Sequence, residues 1–276
     1  MRRNAFLCVA YALVLAACSH EKSDEHASHP TSSQPPPAES ASAPAATEAV
    51  PVVRFGDASG YVSTPTSGGK KPGLIVIHEW WGLDPWIREQ TDHFASQGYV
   101  AVAPDLYRGK LAKTPEEAHE LMRGLPEDRA VADMKAAFDY LASRPDVDPK
   151  LIGVIGWCMG GGYALQLELH EPRIAATAIN YGRLVTDFDT ITKISSPILG
   201  NFGEADRGIP PEDVKAFGAN LTKAGKLGDI KLYPGAGHAF MNPNNKDGYN
   251  AAAAADASQR IDAFFDRTLR AKIPNS

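Results

Sequence analysis

Six short apolar runs recur along the chain with room for a helix between most of them: Leu74-Ile75-Val76-Ile77, Tyr99-Val100-Ala101-Val102, Leu151-Ile152-Gly153-Val154-Ile155, Ala175-Ala176-Thr177-Ala178-Ile179, Pro197-Ile198-Leu199-Gly200-Asn201-Phe202 and Ile230-Lys231-Leu232-Tyr233. Strands that are apolar throughout, rather than at every second residue, are strands covered on both faces. Amphipathic stretches at 86–97, 128–143, 159–170, 211–224 and 248–270 supply the covering helices. A β-α-β-α order forces crossover connections and hence a parallel sheet. The expectation is one α/β domain over 51–276, with a mostly parallel central sheet flanked by helices and an extra antiparallel edge strand at 54–61. Residues 109–127 lack a strong apolar period and are either a cap or a solvated excursion. No fixed-period repeat interrupts this order.

A hydrophobic fraction of 43% is enough for a core of this size. The 28 Lys plus Arg stand against 33 Asp plus Glu, for a net charge of −5, and no long basic run occurs. Binding to nucleic acid through its phosphates is therefore not expected. The three cysteines, Cys8, Cys18 and Cys158, form no CxxC pair, which argues against a disulfide scaffold or a Cys-based metal site. No metal and no cofactor are expected.

The N-terminus has the form of a targeting segment. Met1-Arg2-Arg3 is a positive n-region, and Ala5 to Ala17 form an apolar stretch too short to span a bilayer comfortably. Leu15-Ala16-Ala17-Cys18 resembles the lipobox of bacterial lipoproteins, which implies a signal peptide at 1–17 and lipidation of Cys18. The alternative is an ordinary secretory signal with a chance cysteine, giving a secreted or soluble periplasmic protein. Ser19 follows the cysteine where an Asp commonly marks inner-membrane retention, so the resemblance implies a lipid-anchored envelope protein, with the outer membrane or periplasm favoured. Residues 19–50 hold seven Ser, seven Ala and five Pro among 32 residues, too little apolar surface to offset ordering entropy. As a flexible tether this stretch would reach about 30 Å from the anchor. His20, His26 and His29 lie within it, either as loose metal scavengers or as solvated polar residues.

The chemistry begins where the run at 151–155 ends, in Gly156-Trp157-Cys158-Met159-Gly160-Gly161-Gly162. This has the form of a nucleophile elbow with Cys in place of Ser. A residue on so sharp a strand-to-helix turn needs neighbours without side chains two positions to either side, and the following helix N-terminus favours a thiolate. Partners follow in the order nucleophile, acid, histidine: Gly203-Glu204-Ala205-Asp206 after one strand, and Gly235-Ala236-Gly237-His238-Ala239-Phe240 after the next. Asp206 is favoured over Glu204 by its spacing to Ile209-Pro210. His238 would take the thiol proton and Asp206 would fix its tautomer. The run at 74–77 leads into His78-Glu79-Trp80-Trp81-Gly82-Leu83, which places a carboxylate and two indoles at the same end of the sheet. One indole is expected in the core and the other against the substrate.

Together with Pro104-Asp105-Leu106-Tyr107, these segments resemble the dienelactone hydrolase family across nearly all of 52–270. The resemblance implies an α/β-hydrolase fold, Cys158, His238 and Asp206 as the catalytic triad, and Glu79 as a carboxylate that contacts the resting thiol. It also implies an oxyanion hole from the backbone N–H groups of Trp80 and Met159, with substrate contacts at Trp81, Arg108 and Asn242. Two arginines hold the substrate carboxylate in well-studied members. Arg108 lies within one position of the first, and Asn242 stands where the second would be. The expected activity is cofactor-free hydrolysis of a small-molecule ester or lactone through an acyl-thioester, by a monomer. An acyltransferase using the same cysteine and a catalytically silent binding lipoprotein are the alternatives.

Overall fold

The computed structural model describes residues 52–273, and the leader, Cys18 and the histidine-bearing segment fall outside them. The described chain runs β1 (Val52–Phe55), β2 (Ala58–Ser63), β3 (Lys71–Ile77), α1 (Pro85–Ser96), β4 (Val100–Pro104), α2 (Pro115–Arg123), α3 (Glu127–Ser143), β5 (Val147–Trp157), α4 (Met159–His170), β6 (Ala176–Asn180), α5 (Phe188–Ile191), β7 (Ile198–Gly203), α6 (Pro211–Lys223), β8 (Gly228–Tyr233) and α7 (Ala251–Thr268), ending in a 3-10 turn at Arg270–Lys272. All eight strands join one sheet in the order β1-β2-β4-β3-β5-β6-β7-β8. The six strands read from the apolar runs form its parallel portion. This is the α/β-hydrolase fold with a mostly parallel sheet.

Both faces of the sheet are covered. Leu74 and Val76 pack with Trp86, Ile87, Phe264 and Phe265, whereas Ile75 and Ile77 point the other way, toward Met134, Phe138 and Leu141. A third cluster, around Ile179, Ile198, Phe202 and Phe217, closes the β7 side beneath α6. Continuous apolar strands are thus the consequence of helices on either side.

Two local expectations need correction. The single edge strand at 54–61 is a hairpin, because Phe55 pairs with Ala58 across Gly56-Asp57 and Gly56 takes φ +63, which glycine adopts without strain. Only its second strand joins β4, in antiparallel register. Within 109–127 lies a helix, α2, whose apolar residues Ala118, Leu121 and Met122 fall at i, i+3 and i+4 on one face, a helical period that is present but only nine residues long, with Ala118 alone fully buried. Its start was legible in Thr114-Pro115-Glu116-Glu117: Thr114 caps by accepting from the Glu117 N–H, Pro115 opens the first turn, and Glu117 returns a carboxylate oxygen to the Lys113 N–H at 2.7 Å.

Phe265 is fully buried against α1 and the sheet, so Phe265→Ala should lose about 3–5 kcal/mol through its cavity. Leu227, 72% exposed, should change stability by less than about 0.5 kcal/mol on replacement by Ala. Urea unfolding of the two variants measures the contrast.

Candidate active site

The parallel register of β3, β5, β6, β7 and β8 brings their carboxyl ends to one edge of the sheet, where ligands bind in open α/β sheets. At the end of β5 the chain turns directly into α4, and Cys158 sits on the turn with φ 54 and ψ −118. A Cβ on Gly156 would overlap the Gly160 carbonyl, and one on Gly160 would overlap the carbonyls of Ile77 and His78. Those two glycines allow the turn to close against β3. The Cys158 N–H donates to the Asn180 carbonyl at 3.0 Å, while its own carbonyl accepts from Gly161 and Gly162. Met159 opens α4, and the N–H groups of Met159 and Trp80 donate to no other described residue.

Cys158 Sγ lies 3.0 Å from His238 Nε2, and His238 Nδ1 lies 2.7 Å from Asp206 Oδ2. The Asp206 side chain is buried, and its other oxygen accepts from the N–H groups of Gly208 and Ile209. Burial pushes the Asp206 carboxyl up, yet the bond to His238 and those backbone donors outweigh it and hold it below the usual range. For His238 burial pulls downward, but the bonds to Asp206 and Cys158 prevail and raise it to about 10. Glu204, the competing acid, is exposed and takes no part in this contact chain.

Glu79 is buried nearby in a different environment. It accepts from Asn242 Nδ2 at 2.6 Å and from the Tyr181 hydroxyl at 3.2 Å, both neutral donors. Burial dominates and lifts its carboxyl to about 7. None of its hydrogen bonds among the described residues is to Cys158, the contact expected for a resting thiol. Tyr181, missed in the sequence, also sets its ring 5.4 Å from that of His238. Its signal was an Asn-Tyr-Gly directly after an apolar run, at the same sheet edge as the other site loops. His78, next to Glu79, contacts the Glu79 carbonyl through Nδ1 at 2.6 Å and accepts from the Leu106 N–H through Nε2 at 3.2 Å, tying the β3 loop to the β4 loop.

These groups open into a cavity of about 1220 Å³. Trp80 and Trp81 both line it, their rings 5.1 Å apart, so the expected division into one core and one pocket indole is replaced by a shared wall. His119 of α2 stands edge-on to Trp80 at 5.0 Å, and Leu111, Ala112 and Met122 complete the same side. The 109–127 segment therefore forms part of the cavity wall. Arg108 does not reach it. The guanidinium is held by Asp133 at 2.7 Å and by the Asp57 carbonyl, on a backbone at φ 55. Among the described residues no cluster of three His, Cys, Asp or Glu is arranged to hold a metal ion.

Fold and elbow together define an α/β-hydrolase. Residues 58–269 match the model of the dienelactone hydrolase family, and the chain belongs to that family. It is 36% identical to Protein usf of Aquifex pyrophilus, over 76% of this chain and 93% of that one. It is 33% identical to a Synechocystis protein provisionally named carboxymethylenebutenolidase, over 77% and 92%. Among solved structures, a provisionally assigned dienelactone hydrolase of Klebsiella pneumoniae superposes with a TM-score of 0.69 at 28% identity, covering 76% of this chain and 93% of that one. The protein is accordingly a hydrolase that acts on a small molecule.

A buried acid held above its ordinary value near 4.5 binds its proton more tightly in the fold, so its contribution to stability falls as pH rises from about 4.5 through about 7. The native protein should lose more stability than Glu79→Gln between pH 5 and pH 8.5 in urea titrations. Parallel profiles would place the Glu79 proton elsewhere.

Proposed function

We propose that the protein hydrolyses esters or lactones with Cys158 as nucleophile, through an acyl-thioester. The observation that carries this reading is the chain Cys158 Sγ–His238 Nε2–Asp206 Oδ2, at 3.0 and 2.7 Å, on an elbow that fixes the sulfur. The raised basicity of His238 favours its taking the thiol proton, and Asp206 stabilises the resulting imidazolium. The thiolate attacks the acyl carbon while the Trp80 and Met159 N–H groups receive the developing oxyanion. The C–O bond breaks, and His238 returns its proton to the departing alkoxide. Water, deprotonated by His238, then attacks the thioester, releasing the acid and restoring the thiol–imidazole pair.

The substrate is a neutral ester or lactone. Arg108 is committed to Asp133, and Asn242 to Glu79, so neither offers a guanidinium to a substrate carboxylate at the reacting centre. The wall beside Cys158 is indole and aliphatic instead. Lys113, Arg207 and Lys246 also line the cavity, but so do Asp84 and Asp247. The name carboxymethylenebutenolidase, carried by relatives, supports lactone hydrolysis as a chemistry of this scaffold. Anchored through Cys18, the domain would act at the cell envelope, and Cys18→Ala should leave it unprocessed or mislocalised, as read by its mass and by fractionation.

Alkylation of one thiol per mature chain should abolish turnover of a simple aryl ester, and full labelling with activity retained would refute the nucleophile. His238→Ala or Cys158→Ala should lower kcat by about 10³-fold or more. Between matched esters differing only in a carboxylate, kcat/KM should favour the neutral one, and Asn242→Arg should narrow the gap.

A further inference from the structure

A second cavity, of about 650 Å³, lies between the β1–β2 hairpin, the loop after β4 and the start of α3. Its lining is Arg54, Asp57, Ser59, Arg108 and Arg129, and it shares no lining residue with the cavity at Cys158. Three guanidinium groups from three separate elements converge here, and their partners can be accounted for one by one. Arg108 is neutralised by Asp133, bonded through Nε and Nη2, and also donates to the Asp57 carbonyl. Arg129 donates through Nη2 to the Leu106 carbonyl at 3.2 Å, while its Nε–H is buried with no partner among the described residues. Arg54 and the Ser59 hydroxyl make no hydrogen bond to another described residue.

After Asp133 is assigned to Arg108, the lining holds Arg54 and Arg129 against the single carboxylate of Asp57. Asp128 adjoins Arg129 in sequence and Asp105 lies three residues before Arg108; neither is part of the lining, and their carboxylates are turned to backbone N–H groups, of Arg129 and of Tyr107 and Gly109. With Asp133 counted against Arg108, the lining itself carries one positive charge more than its carboxylates, an excess of donors, and one buried donor with no acceptor among the described residues. A buried N–H left unpaired is unfavourable and is relieved by a ligand oxygen. Guanidinium forks match the paired oxygens of phosphate, and a volume in the ordinary range for small-ligand sites admits such a group.

We propose that this cavity binds a phosphate-type oxyanion through Arg54 and Arg129, with Ser59 as a neutral donor and Arg108 held in place by Asp133. The site is independent of the chemistry at Cys158. The same chemistry fits a free phosphate or the phosphate of a lipid headgroup. Arg54 lies three residues into the described chain, close to the point where residues 19–50 join the domain, which is why the headgroup source is included in the test.

The test uses the full chain in detergent, titrated with inorganic phosphate against sodium chloride at matched ionic strength, with the melting temperature and calorimetric binding as readouts. Phosphate should give a saturable rise, weakened tenfold or more in Arg129→Gln and severalfold in Arg54→Gln. Asp57→Asn, which removes the one uncommitted carboxylate of the lining, should tighten binding. Aryl-ester turnover should be unchanged in Arg54→Gln. If Arg129→Gln does not fold, the exposed Arg54→Gln and Asp57→Asn carry the comparison. In a second arm the Cys18→Ala chain is sedimented with phosphatidylglycerol or phosphatidylcholine vesicles. Binding to phosphatidylglycerol that is lost in Arg54→Gln assigns the ligand as a headgroup, and phosphate binding without it assigns a free anion. Equal response to phosphate and chloride, or a phosphate response unchanged in both arginine variants, overturns the proposal.

Discussion

One backbone conformation holds the rest of the site in place: Cys158 at φ 54, on a turn between β5 and α4 with no spare residue. A non-glycine residue in that region is strained by about 1–3 kcal/mol and persists only where its surroundings fix it. They do so through the sheet itself. The Asn180 carbonyl on β6 accepts from the Cys158 N–H, the Asn180 amide donates to the Gly156 carbonyl, and Asn201 on β7 donates to Asn180 at 2.8 Å. This buried amide ladder crosses β5, β6 and β7 beneath the elbow. At about 1 kcal/mol net per bond, it and the turn's own bonds are of the size needed to offset the strain.

Once the sulfur is fixed, the two nearby carboxyl groups are separated by their donors. Asp206 faces an imidazole and two backbone N–H groups, and stays ionised despite burial. Glu79 is buried too, but its hydrogen-bond donors among the described residues are an amide and a phenol, both uncharged, and the pull of His238 on it is smaller than the cost of burial. Desolvation therefore wins at Glu79 and loses at Asp206. The same residue chemistry yields a permanent anion beside His238 and, a short distance away, an acid that titrates near neutrality. Asn242 is central to this difference, because a guanidinium at that position would reverse the balance at Glu79.

The sheet was legible because its signal is redundant. Each parallel strand needs several apolar residues in succession, and helix covers on both faces leave no polar positions to blur them. The elbow glycines were legible for a steric reason, since neighbouring carbonyls occupy the space where side chains would be. Turn-level detail was harder to read. Gly56-Asp57 carries a two-residue hairpin inside what scans as one strand, and α2 is only nine residues long, so its apolar face of Ala118, Leu121 and Met122 makes a short signal beside the cap at Thr114. Tyr181 was invisible as a site residue because a tyrosine after an apolar strand scans as core, and it is indeed fully buried while also bonding Glu79.

Arg108 shows where motif matching stops. Its position in the chain is that of a substrate-binding arginine to within one residue, but side-chain direction is set by local backbone and by the strongest available partner. The left-handed conformation at φ 55 and the buried carboxylate of Asp133 turn the guanidinium toward the β1–β2 hairpin. The fork-to-fork geometry of that pair is what a substrate carboxylate would have had to displace. With Arg108 facing Asp133 and Asn242 facing Glu79, the cavity wall beside Cys158 is built by Trp80, Trp81 and α2. Under the proposed reading, discrimination on that side rests on shape and apolar contact, which tolerate variation in the acyl group more readily than a paired-charge site does.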